Sequence, residues 1–212
     1  KYSESGNLIW SRQVGALLGT TEAHGVSADE SGNIYVSGFT NVGISEQTKT
    51  GVDDYFIAKY SSDGDLLWTK LVGGIRGTTL GQGVSADESG NAYITGFTNV
   101  AISGESQTGT NDYFVAKYSP EGNVLWTKEA GAILSITGAN GVSTDLNGDV
   151  YISGSTTGGL FSQHHIGFVD YFIAKYSQEG LLIWIHQVGA ALGTTIGQGV
   201  GTDSNGNAYV AG

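Results

Sequence analysis

Four tryptophans stand at Trp10, Trp68, Trp126 and Trp184, each 58 residues after the last. Tyr35, Tyr93, Tyr151 and Tyr209 keep the same interval, as do Gly25, Gly83, Gly141 and Gly199. No gap is needed in any copy. A chain that writes one unit three times and about two-thirds of a fourth folds as neighbouring copies of one small structure.

Each period holds four short segments rich in β-branched and aromatic residues, bounded by Gly, Asn, Asp and Ser. In the second copy they are 83–86 (GVSA), 91–95 (NAYIT), 112–118 (DYFVAKY) and 124–128 (VLWTK). The third and fourth are apolar on both faces, as a sheet covered on two sides requires. Four strands per period predict an all-β chain, a β-propeller of four-stranded antiparallel blades with about 3.7 repeats present. On this reading residues 1–24 end one blade, 25–82, 83–140 and 141–198 are full repeats, and 199–212 open a fourth.

Two connections are tight turns, Asp29-Glu30-Ser31-Gly32-Asn33 and Ser61-Ser62-Asp63-Gly64-Asp65, with a side-chain acceptor early and Gly late. The other two are long, roughly 39–53 and 73–82. In an up-and-down blade the tight turns share one face and the long links share the other. Binding residues on a rigid scaffold favour the long-link face.

The 35 glycines and single proline suit many turns and no long helix. The net charge is −11, and the nine basic residues form no cluster, which excludes nucleic acid and anionic membrane surfaces as partners. No apolar run is long enough to cross a membrane as a helix. The absence of cysteine excludes disulfide and thiol chemistry. The chain opens on Lys1 rather than Met, as a mature or excised segment would.

The string GVSADESGNIYVSGFT, followed by DDYFIAKYSSDGDLLWTKLVGG, resembles the bacterial seven-bladed β-propeller (SBBP) repeat family over essentially the whole chain. GNVLW is distantly similar to the tryptophan motif of quinoprotein propellers, but no other quinone-site feature is recognisable and that activity is not carried over. The resemblance implies a propeller on a secreted or surface-exposed bacterial protein, with the GVSAD strand innermost and the LLWTK strand outermost. It implies no shared catalysis. Four copies are fewer than such a propeller holds, so further blades of a longer protein, or other chains, would complete a ring.

One aligned position is polar in every copy: His24, Gln82, Asn140 and Gln198, just before the predicted inner strand. On the propeller reading these form an arc near the central axis and are the candidate ligand-binding residues. Their alternative role is to satisfy loop backbone groups. Thr21, Thr79, Thr137 and Thr195 are expected to bond loop backbone. Asp29, Asp87, Asp145 and Asp203 are read as β-turn acceptors, because two copies lack the middle ligand of a calcium loop. His164 and His165 are read as exposed loop residues, and His186 as a blade-edge residue. The tryptophans, together with Tyr55, Tyr113 and Tyr171, are assigned to packing between blades, and Lys59, Lys117 and Lys175 to snorkelling or to pairing with a neighbouring Asp.

No nucleophile elbow, phosphate loop or zinc-protease motif is present. The expected function is therefore a non-enzymatic, extracellular or cell-surface binding or adhesion module for a glycan or protein, without cofactor or metal. The alternatives are a structural subunit completed by strand pairing between chains, giving a homo-oligomer, and a polysaccharide lyase or hydrolase with an axial site.

Overall fold

The computed structural model describes all of residues 1–212. Three four-stranded antiparallel sheets follow one another. The first contains β1 (Thr21–Ala28), β2 (Ile34–Thr40), β3 (Asp54–Tyr60) and β4 (Leu66–Val72); the second β5 (Thr79–Ala86), β6 (Ala92–Thr98), β7 (Asp112–Tyr118) and β8 (Val124–Ala130). The third contains β9 (Thr137–Thr144), β10 (Val150–Thr156), β11 (Asp170–Tyr176) and β12 (Leu182–Val188); a last pair, β13 (Gly199–Thr202) and β14 (Ala208–Ala211), starts another. Every neighbour in a sheet is a neighbour in sequence, so each is a simple meander of the kind found in propeller blades. Each sheet begins four residues before the Gly25, Gly83 and Gly141 boundaries expected from the repeat.

The sheets stack face to face, and aromatic rings fill the space between them. Tyr55 of β3 stacks on Phe114 of β7 at 4.7 Å between centroids, and its hydroxyl meets that of Tyr118 at 2.7 Å. One sheet further on, Tyr113 packs on Phe172 at 5.1 Å and its hydroxyl meets that of Tyr176. Burial drives the pKa values of Tyr55 and Tyr113 well above the ordinary phenol range. The first strands lie side by side from sheet to sheet. A side chain on Gly25 would come within 2.8 Å of the Gln82 carbonyl, and one on Gly83 within 2.8 Å of the Asn140 carbonyl. Gly in the first strand thus permits close backbone approach between successive sheets.

The outer strands are tied by tryptophan. Trp68 donates its Nε1–H to the Pro120 carbonyl of the next sheet's tight turn at 2.9 Å, and Trp126 does the same to Gln178. The indole lies against the turn glycine itself; a Cβ on Gly122 would sit 2.8 Å from the Trp68 ring. Trp68, Trp126, Tyr55 and Tyr113 thus take the packing role between sheets expected of them, while Trp184, in the last complete sheet, lies against Tyr151 of its own sheet.

The aspartate turns join two sheets. Asp29 Oδ1 accepts the Asn33 backbone N–H and Oδ2 accepts the Asn33 side-chain amide, both at 2.9 Å. The Tyr35 hydroxyl lies 3.1 Å from Oδ2 and 2.7 Å from the Gly90 carbonyl of the next sheet. Burial pushes the Asp29 pKa up, and the bonds from Asn33 and Tyr35 outweigh it, leaving the pKa lowered. Lys59 lies 3.9 Å from this carboxylate and 5.0 Å from the Tyr35 ring; Lys175 reaches Asp149 at 2.8 Å and Asp145 at 3.4 Å. A turn acceptor is what this aspartate is.

The threonines differ from expectation. Thr21, Thr79 and Thr137 are strand residues, and their hydroxyls meet Thr40, Thr98 and Thr156 across the sheet at 3.0 Å. Only Thr195 behaves as a loop residue, accepting the Tyr171 N–H at 3.0 Å. The difference arises because the first strand of each full sheet starts four residues earlier than its apolar pattern indicates.

Candidate binding surface

Antiparallel order places both tight turns of every sheet at one end of the strands and both long links at the other. The two ends differ in backbone strain. Eight of the nine glycines with positive φ sit in tight turns, where the left-handed region costs glycine little. All nine non-glycine residues with positive φ lie in the long links: Leu18, Ser45, Glu46, Arg76, Ser103, Leu134, Phe161, Ser162 and Leu192. Such residues carry a cost of about 1–3 kcal/mol each and cluster where function requires it.

The link from fourth to first strand makes one four-residue turn in every copy, closed by Gly77 N–H to Gly74 O at 3.0 Å and its equivalents. Positive φ at the third position makes it a type II turn, which calls for Gly or Asn there. The chain instead places Leu18, Arg76, Leu134 and Leu192. The side chains point outward: Leu18 is 97% exposed, Leu134 90% and Leu192 83%, beside exposed Leu17, Ile75 and Ile133. Strained aliphatic tips thus recur on one face at the spacing of the sheets. Their signal in the sequence is the recurrence GALLG, GGIRG, GAILS and GAALG, which turn rules do not mark because the third residue is wrong for the turn.

The other long link is held from below by a fully buried aspartate. Asp54 accepts Thr50 N–H at 2.6 Å and Gly51 N–H at 2.7 Å; Asp112 accepts Thr108 and Gly109; Asp170 accepts Ile166 and Gly167. Gly73, Gly131 and Gly189 make room for it, since a Cβ there would lie 1.8–2.0 Å from the carboxylate. Of the pair Asp53-Asp54, only the second recurs, and it does this structural work.

Three of the four polar ring candidates fall elsewhere than expected. His24, Gln82 and Asn140 lie inside the first strand, where a bulge shifts the register between Ala23 and Gly25, between Gly81 and Val84, and opposite Ser153 and Gly154. Only Gln198 precedes its strand. The bulge re-aims the side chain toward the next sheet: His24 Nδ1 lies 3.1 Å from the Gly81 carbonyl, and Asn140 Nδ2 donates to the Gly197 carbonyl at 2.9 Å. These two therefore staple neighbouring sheets, while Gln82 and Gln198 make no such side-chain bond.

His164 is exposed as expected, and His186 stacks on Trp184 at the sheet edge at 5.3 Å. His165 departs from the expectation. Its Nε2 is buried without a partner, at the position where Lys49 and Gln107 donate to loop carbonyls. A cavity of about 410 Å³ opens on the first sheet, lined by residues such as Val36, Phe56, Ala58 and Tyr60. Phe56 and Tyr60 correspond to Phe114 and Tyr118, which receive Tyr55 inside the stack. The cavity therefore has the character of a sheet-stacking surface, mostly apolar, with Lys1 and Arg12 also in its lining.

The beta-propeller repeat family, SBBP, matches residues 9–44, 67–102, 125–162 and 183–212. The chain belongs to this family. The second, third and fourth SBBP matches start within the tryptophan strands β4, β8 and β12 and run on into the next sheet, so each carries a link tip in its first half. An uncharacterized WD repeat-containing protein of Acanthamoeba polyphaga mimivirus is 25% identical over 245 residues, covering 90% of this chain and 17% of its own length. A protein of unknown function from Bacteroides caccae superposes with a TM-score of 0.49 and 14% identity, over 90% of this chain and 53% of that one.

Proposed function

We propose that this SBBP segment is a non-enzymatic binding module of a secreted or cell-surface protein, and that its contact surface is the long-link face. The segregation of all non-glycine backbone strain to that face carries the reading. Selection for stability alone would place Gly or Asn at Leu18, Leu134 and Leu192. Aliphatic tips repeated at a fixed spacing suit a protein partner with repeated apolar features better than a glycan, and several weak contacts at one spacing add up to useful avidity. Gln82 and Gln198 remain polar candidates for ligand contact, since their side chains are free of the stapling bonds made by His24 and Asn140.

The triple variant Leu18→Asn, Leu134→Asn, Leu192→Asn tests this. It should be more stable than the parent by about 1 kcal/mol per site, because Asn tolerates the left-handed region that Leu resists. It should also lose binding to positive spots on a peptide array. Peptide binding unchanged by the triple variant would defeat the assignment.

A further inference from the structure

One position inside the sheet stack differs in all three sheets: Leu71, Glu129 and Gln187. Position 187 of β12 is Gln, and the equivalent position 129 of β8 is Glu. Gln187 bonds fully: Oε1 accepts the Leu160 N–H at 3.0 Å, and Nε2 donates to the Gly158 carbonyl at 3.1 Å and to Asp170 Oδ2 at 2.9 Å. Glu129 reproduces the first of these, with Oε2 accepting the Ile102 N–H at 3.1 Å. Its other oxygen, Oε1, corresponds to the amide nitrogen of Gln187. That oxygen is buried and has no partner.

The counterparts of the two groups that Gln187 donates to are acceptors as well: the Val100 carbonyl and the Asp112 carboxylate. An ionised Glu129 would set a bare oxygen toward both, with nothing to donate. A protonated Glu129 has an O–H and restores the pattern of the third sheet. We propose that Glu129 is held as a neutral acid that donates to the Val100–Asp112 acceptor pair, and that loss of its proton loosens the 99–111 link on the long-link face. Asp112 holds that link through Thr108 and Gly109, so a charge placed against it acts directly on the clasp.

The surroundings agree with this assignment. The titratable and charged groups facing Glu129 are Asp112 on β7, Glu105 on the link, Lys128 on its own strand and Tyr176 of the next sheet. Lys128 is engaged with Glu105 at 3.7 Å, and the Tyr176 hydroxyl with Tyr113. Burial first, then the Asp112 and Glu105 charges, raise the Glu129 pKa to about 7 against the pull of the Ile102 bond. A carboxyl raised in the folded state binds its proton more tightly there than when unfolded. Its destabilising effect is therefore absent at acid pH, grows from the ordinary carboxylate range upward, and is complete above about 7. This proton switch is independent of the binding function proposed above.

Carboxyl-carbon NMR titration of the full chain should place Glu129 near neutrality. Amide-exchange protection at Thr108 and Gly109, corrected for intrinsic rates, should fall about tenfold or more between pH 5.5 and 8.5, because the opening equilibrium shifts about tenfold for each pH unit between 5.5 and the folded midpoint of about 7. The equivalent amides of Thr50 and Gly51, in the sheet that carries Leu71 at this position, should show no such fall. Glu129→Gln should remove the pH dependence at Thr108 and Gly109; if it does not fold, Glu129→Leu serves, since Leu71 fills this position in the first sheet. A Glu129 midpoint in the ordinary carboxylate range overturns the proposal. So does a pH dependence that persists in the variant.

Discussion

Tyr113→Ala is expected to destabilise the chain by about 4 kcal/mol, the cost of a large core cavity. The ring is fully buried between two sheets, packed near Phe172, and nothing nearby can relax into its place without opening the stack. Two milder variants separate packing from hydrogen bonding. Tyr113→Phe keeps the ring but leaves the Tyr176 hydroxyl buried without its partner, at about 1–2 kcal/mol. Adding Tyr176→Phe should recover most of that loss, because both polar groups then disappear together. Urea denaturation of the two single variants and the double variant forms the double-mutant cycle, and additive single-variant losses would show that the two hydroxyls are not coupled. Tyr55 and Tyr118, in the same arrangement one sheet earlier, should give matching values.

Gly96→Ala should cost about 3 kcal/mol or more, or prevent the second sheet from forming. Its Cβ would lie 1.9 Å from the Leu80 carbonyl oxygen and 2.9 Å from the Phe114 ring. The obstacle is backbone on one side and a buried aromatic on the other, so no rotamer change relieves it. Gly38 and Gly154 meet the same carbonyl, from Glu22 and Gly138, at 1.8 and 2.0 Å. Gly138→Ala is the control. The nearest atom to its Cβ is 3.5 Å away, and other copies carry Glu22 and Leu80 at that position. Thermal unfolding of the two variants should differ by many degrees; equal midpoints would mean that the bulge relaxes at no cost.

The bulge near these glycines marks the limit of what residues alone reveal. Strand number, order and the split between tight turns and long links follow from recurrence and turn chemistry: Asp29, Gly32 and Asn33 spell a turn unaided. The first strand extends four residues beyond its apolar pattern, because Thr21, Glu22 and Ala23 carry no alternation; their partners are Thr40, Phe39 and Gly38 on β2. Apolar patterning therefore sets His24 ahead of the strand, whereas the register shift makes it the bulged residue. The link tips escape sequence rules for the opposite reason. Local propensity disfavours Leu at φ near 60°, and the surrounding fold overrides it. Asp54 looks like half of an isolated acidic pair until its recurrence at Asp112 and Asp170 is matched to the amides it receives.

The contacts between sheets obey a fixed arithmetic. Tyr35 reaches Gly90, 55 residues ahead; His24 reaches Gly81, 57 ahead; Lys59 reaches Pro120, 61 ahead; Tyr55 reaches Tyr118, 63 ahead. Each contact addresses a position in the following copy and no particular copy. Excising one period from the gene, wherever the cut falls, would regenerate the repeated contacts at the new junction. The gene can therefore lengthen or shorten by whole units through recombination between its own copies, while a lesion of any other length throws the contacts that span it out of phase.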